Sequence, residues 1–328
     1  MSAPRRSARC WPVAKRRKRD RVLEWAEARS LRVGSVNPFV LGVRLVEQTV
    51  NDRVSGLAAE MAFWALLSLV PLLVTFGATM GYLEDLLGAD TVLRGANAVI
   101  RGLAVIFSPR LTNQVLAPFL RALLTQERGG LALGGALVTL YLASRVFSAT
   151  IRSLDTAYGV TERRGLVIQR LLSIGLAAGF IVVVVLTLLL MVVGPLLGTG
   201  QTLADRFGLG GLFQALWGIG RWPLLVGIVI AFLTCVYRLC PNVNFGWRAC
   251  LPGAVLGVAL WILASVGFRV YLAAGGGDSV LADTQDVAVA LVGRVIGTLV
   301  ATIVWTYLTG FAILVGGELN AELCREVR

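Results

Sequence analysis

Six long apolar stretches, separated by shorter polar connections, dominate the pattern of hydrophobic and polar positions along the chain. The clearest, IGLAAGFIVVVVLTLLLMVVG, runs from residue 174 to residue 194 without a charged side chain. A stretch of about 18 or more apolar residues is long enough for a helix to cross a bilayer. The pattern therefore predicts six membrane-crossing helices, at residues 57–80, 130–151, 168–194, 222–240, 252–274 and 295–317.

Helical amphipathic spacing also occurs outside these six stretches. Before the first of them, four apolar residues at spacings of four, three and four share one helix face: Phe39, Val43, Val46 and Val50. The segments 81–129 and 198–221 contain similar patterns, in LTNQVLAPFLRALL and LFQALWGIG. We therefore predict an all-α fold, a polytopic membrane helix bundle of about six transmembrane helices plus amphipathic surface helices.

The charge distribution divides the chain into three parts. The chain has 31 Lys and Arg against 19 Asp and Glu, a net charge of +12, and much of the excess lies in PRRSARCWPVAKRRKRDR near its start. We predict that residues 1–38 form a basic, disordered tail, residues 39–324 the six-span membrane domain, and residues 325–328 a C-terminal end. The tail is expected to bind anionic lipid headgroups, at about 1 kcal/mol for each basic residue near the surface. No nucleic-acid partner is expected.

Composition and arginine placement indicate a multi-pass protein of the cell membrane. Hydrophobic residues make up 56% of the chain and charged residues only 15%, whereas about a quarter of the residues in soluble domains are charged. The mean hydropathy is +0.76. Arginine-rich connections alternate along the chain so that both termini are predicted to lie in the cytoplasm. Self-association into a homo-oligomer is a hypothesis that the sequence leaves open.

Pro71 lies inside the first apolar stretch, in AEMAFWALLSLVPLL. A membrane helix tolerates proline where a hydroxyl or a neighbouring helix takes up the freed carbonyl, and Ser68 lies three residues earlier, on the adjoining turn. We therefore predict a helix kink at Ser68 and Pro71. Glu60 precedes Pro71 by eleven residues, which places the two within about 20° of one helix face. Both are expected to point into the bundle.

Five ionisable side chains fall inside the predicted spans or near their ends: Glu60, Arg145, Arg152, Arg269 and Glu318. A charge inside the membrane costs from about 2.5 kcal/mol upward, so each of them is a functional candidate. Arg152, Arg269 and Glu318 lie close enough to span ends to snorkel to the interface, and for them a structural role is the stronger interpretation. Arg145 is the deepest charge, and a pair with Glu60 is our hypothesis for its neutralisation.

Enzyme signatures are weak in this sequence. The chain has no histidine, which excludes Ser-His-Asp and Cys-His triads and the H-E-x-x-H zinc site. GGGD, which ends at Asp278, matches a pattern of aspartyl intramembrane proteases but has no partner motif in another span. The five cysteines show neither a C-x-x-C pair nor metal-ligand spacing. We expect unpaired thiols, no metal site, no cofactor and no enzymatic activity.

Three blocks follow one another in the chain: AAEMAFWALLSLVPLL, RLCPNVNFGWRACLPGAVLGVALWILASVGFRVYLA and WTYLTGFAILVGGELNAEL. Together with the weaker LDTAYGVTERRG, they resemble the YihY/BrkB family of bacterial inner-membrane proteins over most of residues 40–324. The resemblance implies a six-span protein of the cytoplasmic membrane with no established molecular activity. This chain departs from the family pattern in its long basic tail and in VGGE, where alanine usually precedes the glutamate.

The resemblance carries over to individual positions of this chain, and most of them are expected to be packing or kink residues. The positions are Ser68, Pro71, Pro241, Trp247, Pro252, Gly253, Trp261, Phe268, Tyr271, Trp305, Tyr307, Gly317, Glu318 and Asn320. Glu318 and Asn320 are the expected exceptions. A carboxylate and an amide that follow two glycines near the cytoplasmic side are suited to bind a headgroup, an ion or the TERR loop at residues 161–164.

Three functional hypotheses follow from these observations. The first, which we favour, is a transporter or lipid-handling protein of the cell envelope whose substrate or ion pathway is formed by Glu60, Arg145, Glu318 and Asn320. The second is a non-transporting membrane scaffold for envelope assembly, in which the surface helices and the tail bind partners. The third, an intramembrane enzyme, requires Asp278 and a second aspartate.

Overall fold

The computed structural model describes residues 38–87, 129–160, 164–196, 210–243, 246–272 and 287–327. These residues form seven α-helices and no strand: α1 (Pro38–Asn51), α2 (Val54–Leu87), α3 (Gly129–Ala157), α4 (Leu166–Leu196), α5 (Gly210–Leu239), α6 (Trp247–Tyr271) and α7 (Val287–Val327). The predictions for the basic tail, for residues 88–128 and for Asp278 lie outside the described residues.

Six of the described helices, α2 to α7, are long and apolar enough to cross a membrane. The qualifying stretches are Val54–Leu72, Leu133–Ala157, Leu166–Thr187, Trp222–Leu239, Trp247–Tyr271 and Leu299–Arg325. An apolar helix suits a bilayer because its backbone N–H and C=O groups bond within the helix and need no water. The predicted all-α fold with six membrane spans is confirmed.

The helix ends gather at one end of the bundle. The backbone N–H of Asn242, just after α5, donates to the Asp155 carboxylate near the end of α3 at 3.2 Å. Arg164, just before α4, donates to the Leu239 carbonyl at the end of α5 at 2.6 Å. Asn320, late in α7, bonds to Gly253, early in α6. We call this the proximal end: α2, α4 and α6 begin there, and α3, α5 and α7 end there.

The short helix α1 lies at the proximal end and is tied to α7. The Gln48 side chain donates to Glu322 of α7 at 3.2 Å, and Leu45 packs against a buried cluster that includes Val54 of α2. Val46 and Val50 are each 66% exposed. α1 thus leaves part of its apolar face uncovered by the described residues, as expected of a helix that lies on a membrane surface.

Helix α2 continues through Pro71 to Leu87. Pro71 has no N–H, so the carbonyl of Leu67, four residues earlier, lacks its usual helical donor. The expectation that the Ser68 hydroxyl takes up this carbonyl is wrong, because Ser68 Oγ donates to the Ala65 carbonyl at 2.7 Å. A serine hydroxyl bonds most readily to the carbonyls three or four residues before it. The kink itself stays a prediction.

The segment 198–221 also differs from expectation where it is described. Residues 210–221, which include LFQALWGIG, form the first part of α5 rather than a separate surface helix. Pro223 lies inside this helix without ending it, and membrane helices tolerate such prolines where neighbouring groups satisfy the backbone. The amphipathic spacing therefore belongs to the extension of a membrane helix.

Glycines allow α6 and α7 to pack backbone against backbone. A Cβ on Gly253 would overlap the Gly316 carbonyl oxygen and the Asn320 side chain, and a Cβ on Gly316 would overlap the Gly253 carbonyl oxygen. The pair Gly253 and Gly257 is a G-x-x-x-G motif, and such motifs bring membrane helices close together. By contrast, a Cβ on Gly175 of α4 would meet no atom within 4 Å. The helix backbones are therefore in close contact at Gly253 and Gly316, between α6 and α7, but not at Gly175 of α4.

Candidate functional site

Glu60 and Arg152 form an ion pair between α2 and α3. Glu60 lies six residues after the start of α2 and Arg152 five residues before the end of α3, so antiparallel packing brings them to one level. Arg152 Nη2 donates to Glu60 Oε1. The two side chains remain 36% and 37% exposed, although both belong to membrane-crossing stretches. The pair therefore lies at the bundle surface, about 9 Å along α2 from its proximal end. The expectation that Glu60 points into the bundle is wrong.

The hypothesis of a Glu60–Arg145 pair is wrong. Arg145 lies two turns before Arg152 on nearly the same face of α3, but it is about 10 Å farther from the proximal end. Its Cζ lies 4.6 Å from the centroid of the Trp64 ring, one turn after Glu60 on α2. The α2–α3 register therefore pairs Glu60 with Arg152 and Trp64 with Arg145. We call these four residues the polar ladder.

Arg145 occupies the middle of the membrane span. It lies twelve residues from each end of the stretch Leu133–Ala157, about 18 Å from either end. Within the described parts of the chain, no carboxylate pairs with it. A cation–π contact contributes about 0.5–2 kcal/mol, and a charge near the bilayer centre costs from about 2.5 kcal/mol upward. Trp64 therefore offsets only part of the cost of placing Arg145 there.

Three buried carboxylates lie near the proximal end: Asp155 of α3, and Glu318 and Glu322 of α7. Glu322 accepts hydrogen bonds from Gln48 of α1 and from Arg325. Glu318 is only 2% exposed, and its Oε2 has no hydrogen-bond partner among the described residues. Buried polar atoms are nearly always hydrogen-bonded. Glu318 is therefore a second candidate contact for a ligand.

Asn320 is a packing residue whose amide oxygen and nitrogen are both hydrogen-bonded to α6. It is completely buried, and its Oδ1 accepts a hydrogen bond from the Gly253 N–H at 2.7 Å. Its Nδ2 donates to the Cys250 carbonyl at 3.0 Å. Both bonds go to the backbone of α6 on either side of Pro252. Asn320 thus fixes α7 to the first turns of α6.

The described member of the TERR loop, Arg164, contacts α5. Besides Leu239, it donates to the carbonyls of Cys240 at 3.1 Å and Pro241 at 3.4 Å. Carbonyls at a helix C-terminus lack intrahelical donors, and a cation there is favourable. Arg164 therefore caps α5, and no described hydrogen bond or ion pair joins it to Glu318.

The predicted site residues fall into separate groups. Gly310 of α7 packs beside Ala58 and Met61 of α2, so Glu318, eight residues on, lies about 12 Å farther along α7. Glu60 and Arg145 share the polar ladder, whereas Glu318 lies at the proximal end and Asn320 faces α6. In the described ranges, no group of three His, Cys, Asp or Glu side chains is placed to hold a metal ion.

Sequence reasoning missed two contributors to these groups. Trp64 was not singled out, although its place one turn after Glu60 was a usable signal for a cation–π partner. Tyr237 of α5 is buried, and its hydroxyl donates to the Ile313 carbonyl of α7. Nothing in the sequence pattern distinguishes that tyrosine from others. Three of the described cysteines, Cys235, Cys240 and Cys250, are free thiols as predicted.

Comparison with known proteins places the chain in a family. The family described as Virulence factor BrkB matches residues 45–328. The chain belongs to the BrkB family. The ribonuclease-like protein YfkH of Bacillus subtilis (strain 168) is 31% identical to this BrkB-family chain over 266 residues, which cover 81% of the chain and 88% of the relative. A UPF0761 membrane protein of Vibrio cholerae is 24% identical over 285 residues, 85% of each protein.

A UPF0761 membrane protein of Aliivibrio fischeri is 25% identical to this BrkB-family chain over 286 residues, which cover 85% of the chain and 81% of the relative. No solved structure matches. Of the positions that the sequence resemblance pointed to, Gly253, Gly317 and Asn320 lie in close contacts between helices. In this BrkB-family protein, the sequence GGELNA of α7 therefore contributes to helix packing through Gly317 and Asn320. Glu318 belongs to the same sequence, and its Oε2 has no hydrogen-bond partner among the described residues.

Proposed function

We propose that this BrkB-family protein is a lipid-handling protein of the bacterial cell membrane, in which the polar part of an amphipathic substrate moves along the polar ladder. The observation that carries the proposal is the exposure of the Glu60–Arg152 pair, 37% and 36%, within two membrane-crossing stretches. Ionisable groups at membrane depth are costly and usually face a bundle interior or a water-filled cavity. A partly exposed ladder at the bundle surface instead favours a substrate whose tails stay in the bilayer.

Glu318 is the second contact of the proposed pathway, at the proximal end. Its unbonded Oε2 is a suitable acceptor for the ammonium or hydroxyl group of a headgroup. Asn320 has no place in this pathway, because both of its amide atoms are bonded to α6. The pathway proposed here therefore keeps Glu60, Arg145 and Glu318 of the predicted residues and adds Arg152.

The proposed orientation places the proximal end in the cytoplasm. That end carries Arg164, Arg238, Arg248 and Arg325 at helix termini or in the connections between helices. Short cytoplasmic loops are enriched in arginine and lysine. Accessibility of a cysteine introduced beside Arg164, to a membrane-impermeant thiol reagent, tests this orientation in whole cells and in inside-out vesicles.

The proposal excludes enzymatic activity for this chain. The ribonuclease-like name belongs to the Bacillus subtilis relative, whereas this chain has no histidine. We expect the purified protein to leave labelled RNA intact under conditions in which it moves lipid. RNA cleavage that copurifies with the folded protein and is lost in a Glu318→Gln variant would refute this part of the proposal.

The decisive experiment measures lipid and ion movement in proteoliposomes that contain the full chain. The wild type is compared with Glu60→Gln, Glu318→Gln and the control Arg269→Gln, which changes an exposed arginine of α6. We expect lipid movement above that of empty vesicles, a fall of about tenfold in Glu60→Gln, a fall in Glu318→Gln, and little change in Arg269→Gln. Absence of lipid movement with folded wild-type protein refutes the proposal and favours the scaffold hypothesis.

A further inference from the structure

The polar ladder carries one net positive charge. Two of its members are arginines and one is a glutamate, and the ion pair between Glu60 and Arg152 neutralises two of these three charges. The remaining charge is Arg145, at the middle of the α3 span. Trp64 makes a cation–π contact with its guanidinium but cannot neutralise it. A singly charged anion at this depth of the membrane would bring the net charge of the polar ladder to zero.

Arginine is suited to one class of anion in particular. Its planar guanidinium carries five N–H donors and binds phosphate and carboxylate in a bidentate manner. The Arg145 Cζ lies 4.6 Å from the centroid of the Trp64 ring, and a cation–π contact of this kind leaves guanidinium N–H donors available to bind an anion. No described residue offers them a carboxylate. The geometry therefore fits a singly charged phosphodiester beside Trp64.

We infer that the polar ladder selects lipids whose headgroups carry one net negative charge, with Arg145 binding the headgroup phosphate at the membrane centre. This inference rests on the proposed lipid-handling function and names its substrate class. A zwitterionic headgroup would add no net charge, so the ladder and its ligand would keep one uncompensated positive charge. An anionic headgroup reduces the net charge to zero, which is favourable in a medium of low dielectric constant.

Arg145→Gln and Glu60→Gln should have opposite effects on the preference for anionic lipid, because they change the net charge of the polar ladder in opposite directions. Arg145→Gln removes the unpaired positive charge and the bidentate donors, so it should remove the preference for anionic lipid. Glu60→Gln releases Arg152 and raises the net charge of the ladder by one, so it should strengthen the preference while slowing release. Arg145→Lys keeps the charge without the planar fork and should restore only part of the preference.

The test compares two labelled lipids in the same proteoliposomes. Fluorescent phosphatidylglycerol and phosphatidylcholine differ in headgroup charge. For each variant, the rate at which phosphatidylglycerol moves between leaflets is divided by the rate for phosphatidylcholine. A ratio within one preparation does not depend on how much protein has folded. We expect a wild-type ratio of about ten, because only the anionic headgroup brings the net charge of the polar ladder to zero. The ratio should fall to near one in Arg145→Gln and rise above the wild-type value in Glu60→Gln. Arg269→Gln is the control and should keep the wild-type ratio.

The outcomes separate this inference from the proposed function. Equal movement of both lipids in wild type, with Arg145→Gln slowing both alike, overturns the inference and leaves lipid handling intact. No movement of either lipid refutes the proposed function. Trapped inorganic phosphate is measured in parallel vesicles. Phosphate release that needs Arg145, without lipid movement, would identify the anion as free phosphate and overturn the lipid assignment.

Discussion

Replacing Gly253 by alanine should separate α6 from α7. The added methyl group would overlap two parts of α7, the backbone carbonyl oxygen of Gly316 and the side-chain amide of Asn320. Neither group can move freely, since the carbonyl belongs to a helix backbone and the amide is bonded on both sides to α6. Relief therefore requires the two helices to move apart, and the two Asn320 bonds lengthen or break.

The magnitude follows from three contributions. Overpacking a tight site costs about 1–3 kcal/mol, and a backbone obstacle places Gly253→Ala in the upper half of that range. Two interhelical hydrogen bonds in a membrane contribute about 0.6 kcal/mol each. The higher helix propensity of alanine returns about 1 kcal/mol. We expect Gly253→Ala to lower the free energy of unfolding by about 2–3 kcal/mol.

Two matched substitutions serve as controls. Gly175→Ala in α4 adds the same methyl group where no atom lies within 4 Å, so it should leave stability unchanged or raise it by up to about 1 kcal/mol. Gly317→Ala in α7 is the second control. Its methyl group would overlap the Cδ2 atom of the buried Leu154 side chain rather than backbone, so the cost should lie between those of Gly175→Ala and Gly253→Ala.

The assay is reversible unfolding of the purified protein in mixed micelles of increasing SDS fraction, followed by circular dichroism and tryptophan fluorescence. The three alanine variants are compared with wild type at equal micelle composition. If Gly253→Ala unfolds at the same SDS fraction as Gly175→Ala, the α6–α7 contact does not constrain the fold in the way described.

Further predictions concern individual hydrogen bonds and the ion pair. Asn320→Ala should lose about 1 kcal/mol in the same SDS assay, and an unchanged midpoint would contradict its role as a link between α6 and α7. Tyr237→Phe should lose about 0.6 kcal/mol with no change in helix content, because only the bond to the Ile313 carbonyl is removed. A double-mutant cycle on Glu60→Gln and Arg152→Gln should give a coupling energy of about 0.5–1 kcal/mol, the range of partly exposed pairs. Zero coupling would show that the two side chains are independent.

The hydropathy pattern predicted the six membrane helices because bilayer thickness fixes how much apolar sequence a span needs. It was less accurate about where helices extend beyond the bilayer. α7 reaches Val327 although the predicted span ended at residue 317, and the mixed sequence of GGELNAEL gave no boundary signal. A helix can continue through such residues when polar side chains among them find partners, as Glu322 does with Gln48.

The pairing of charges was beyond sequence reasoning for a geometric reason. Arg145 and Arg152 lie two turns apart on one face of α3, so helical periodicity gives Glu60 no preference between them. The choice depends on the axial register of α2 against α3, which packing decides. Close approach of the helices at Gly135, where a Cβ would lie 2.6 Å from Thr75 Oγ1, is one contact that sets this register. The same limit applies to Asn320, whose partners lie 67 and 70 residues away in the chain.

The contacts of α7 also bear on how the protein is made in the cell. Translation proceeds from α1 to α7, so the other helices leave the ribosome before α7 does. Yet α7 supplies the hydrogen-bond partners of three groups on earlier helices: the Gln48 side chain, the Ala157 carbonyl and the Gly253 N–H. A nascent chain halted before α7 would hold six helices with open polar positions on the proximal side. Biogenesis of this protein therefore includes a stage at which an incomplete bundle is a natural client for insertion factors and a target for membrane quality-control proteases.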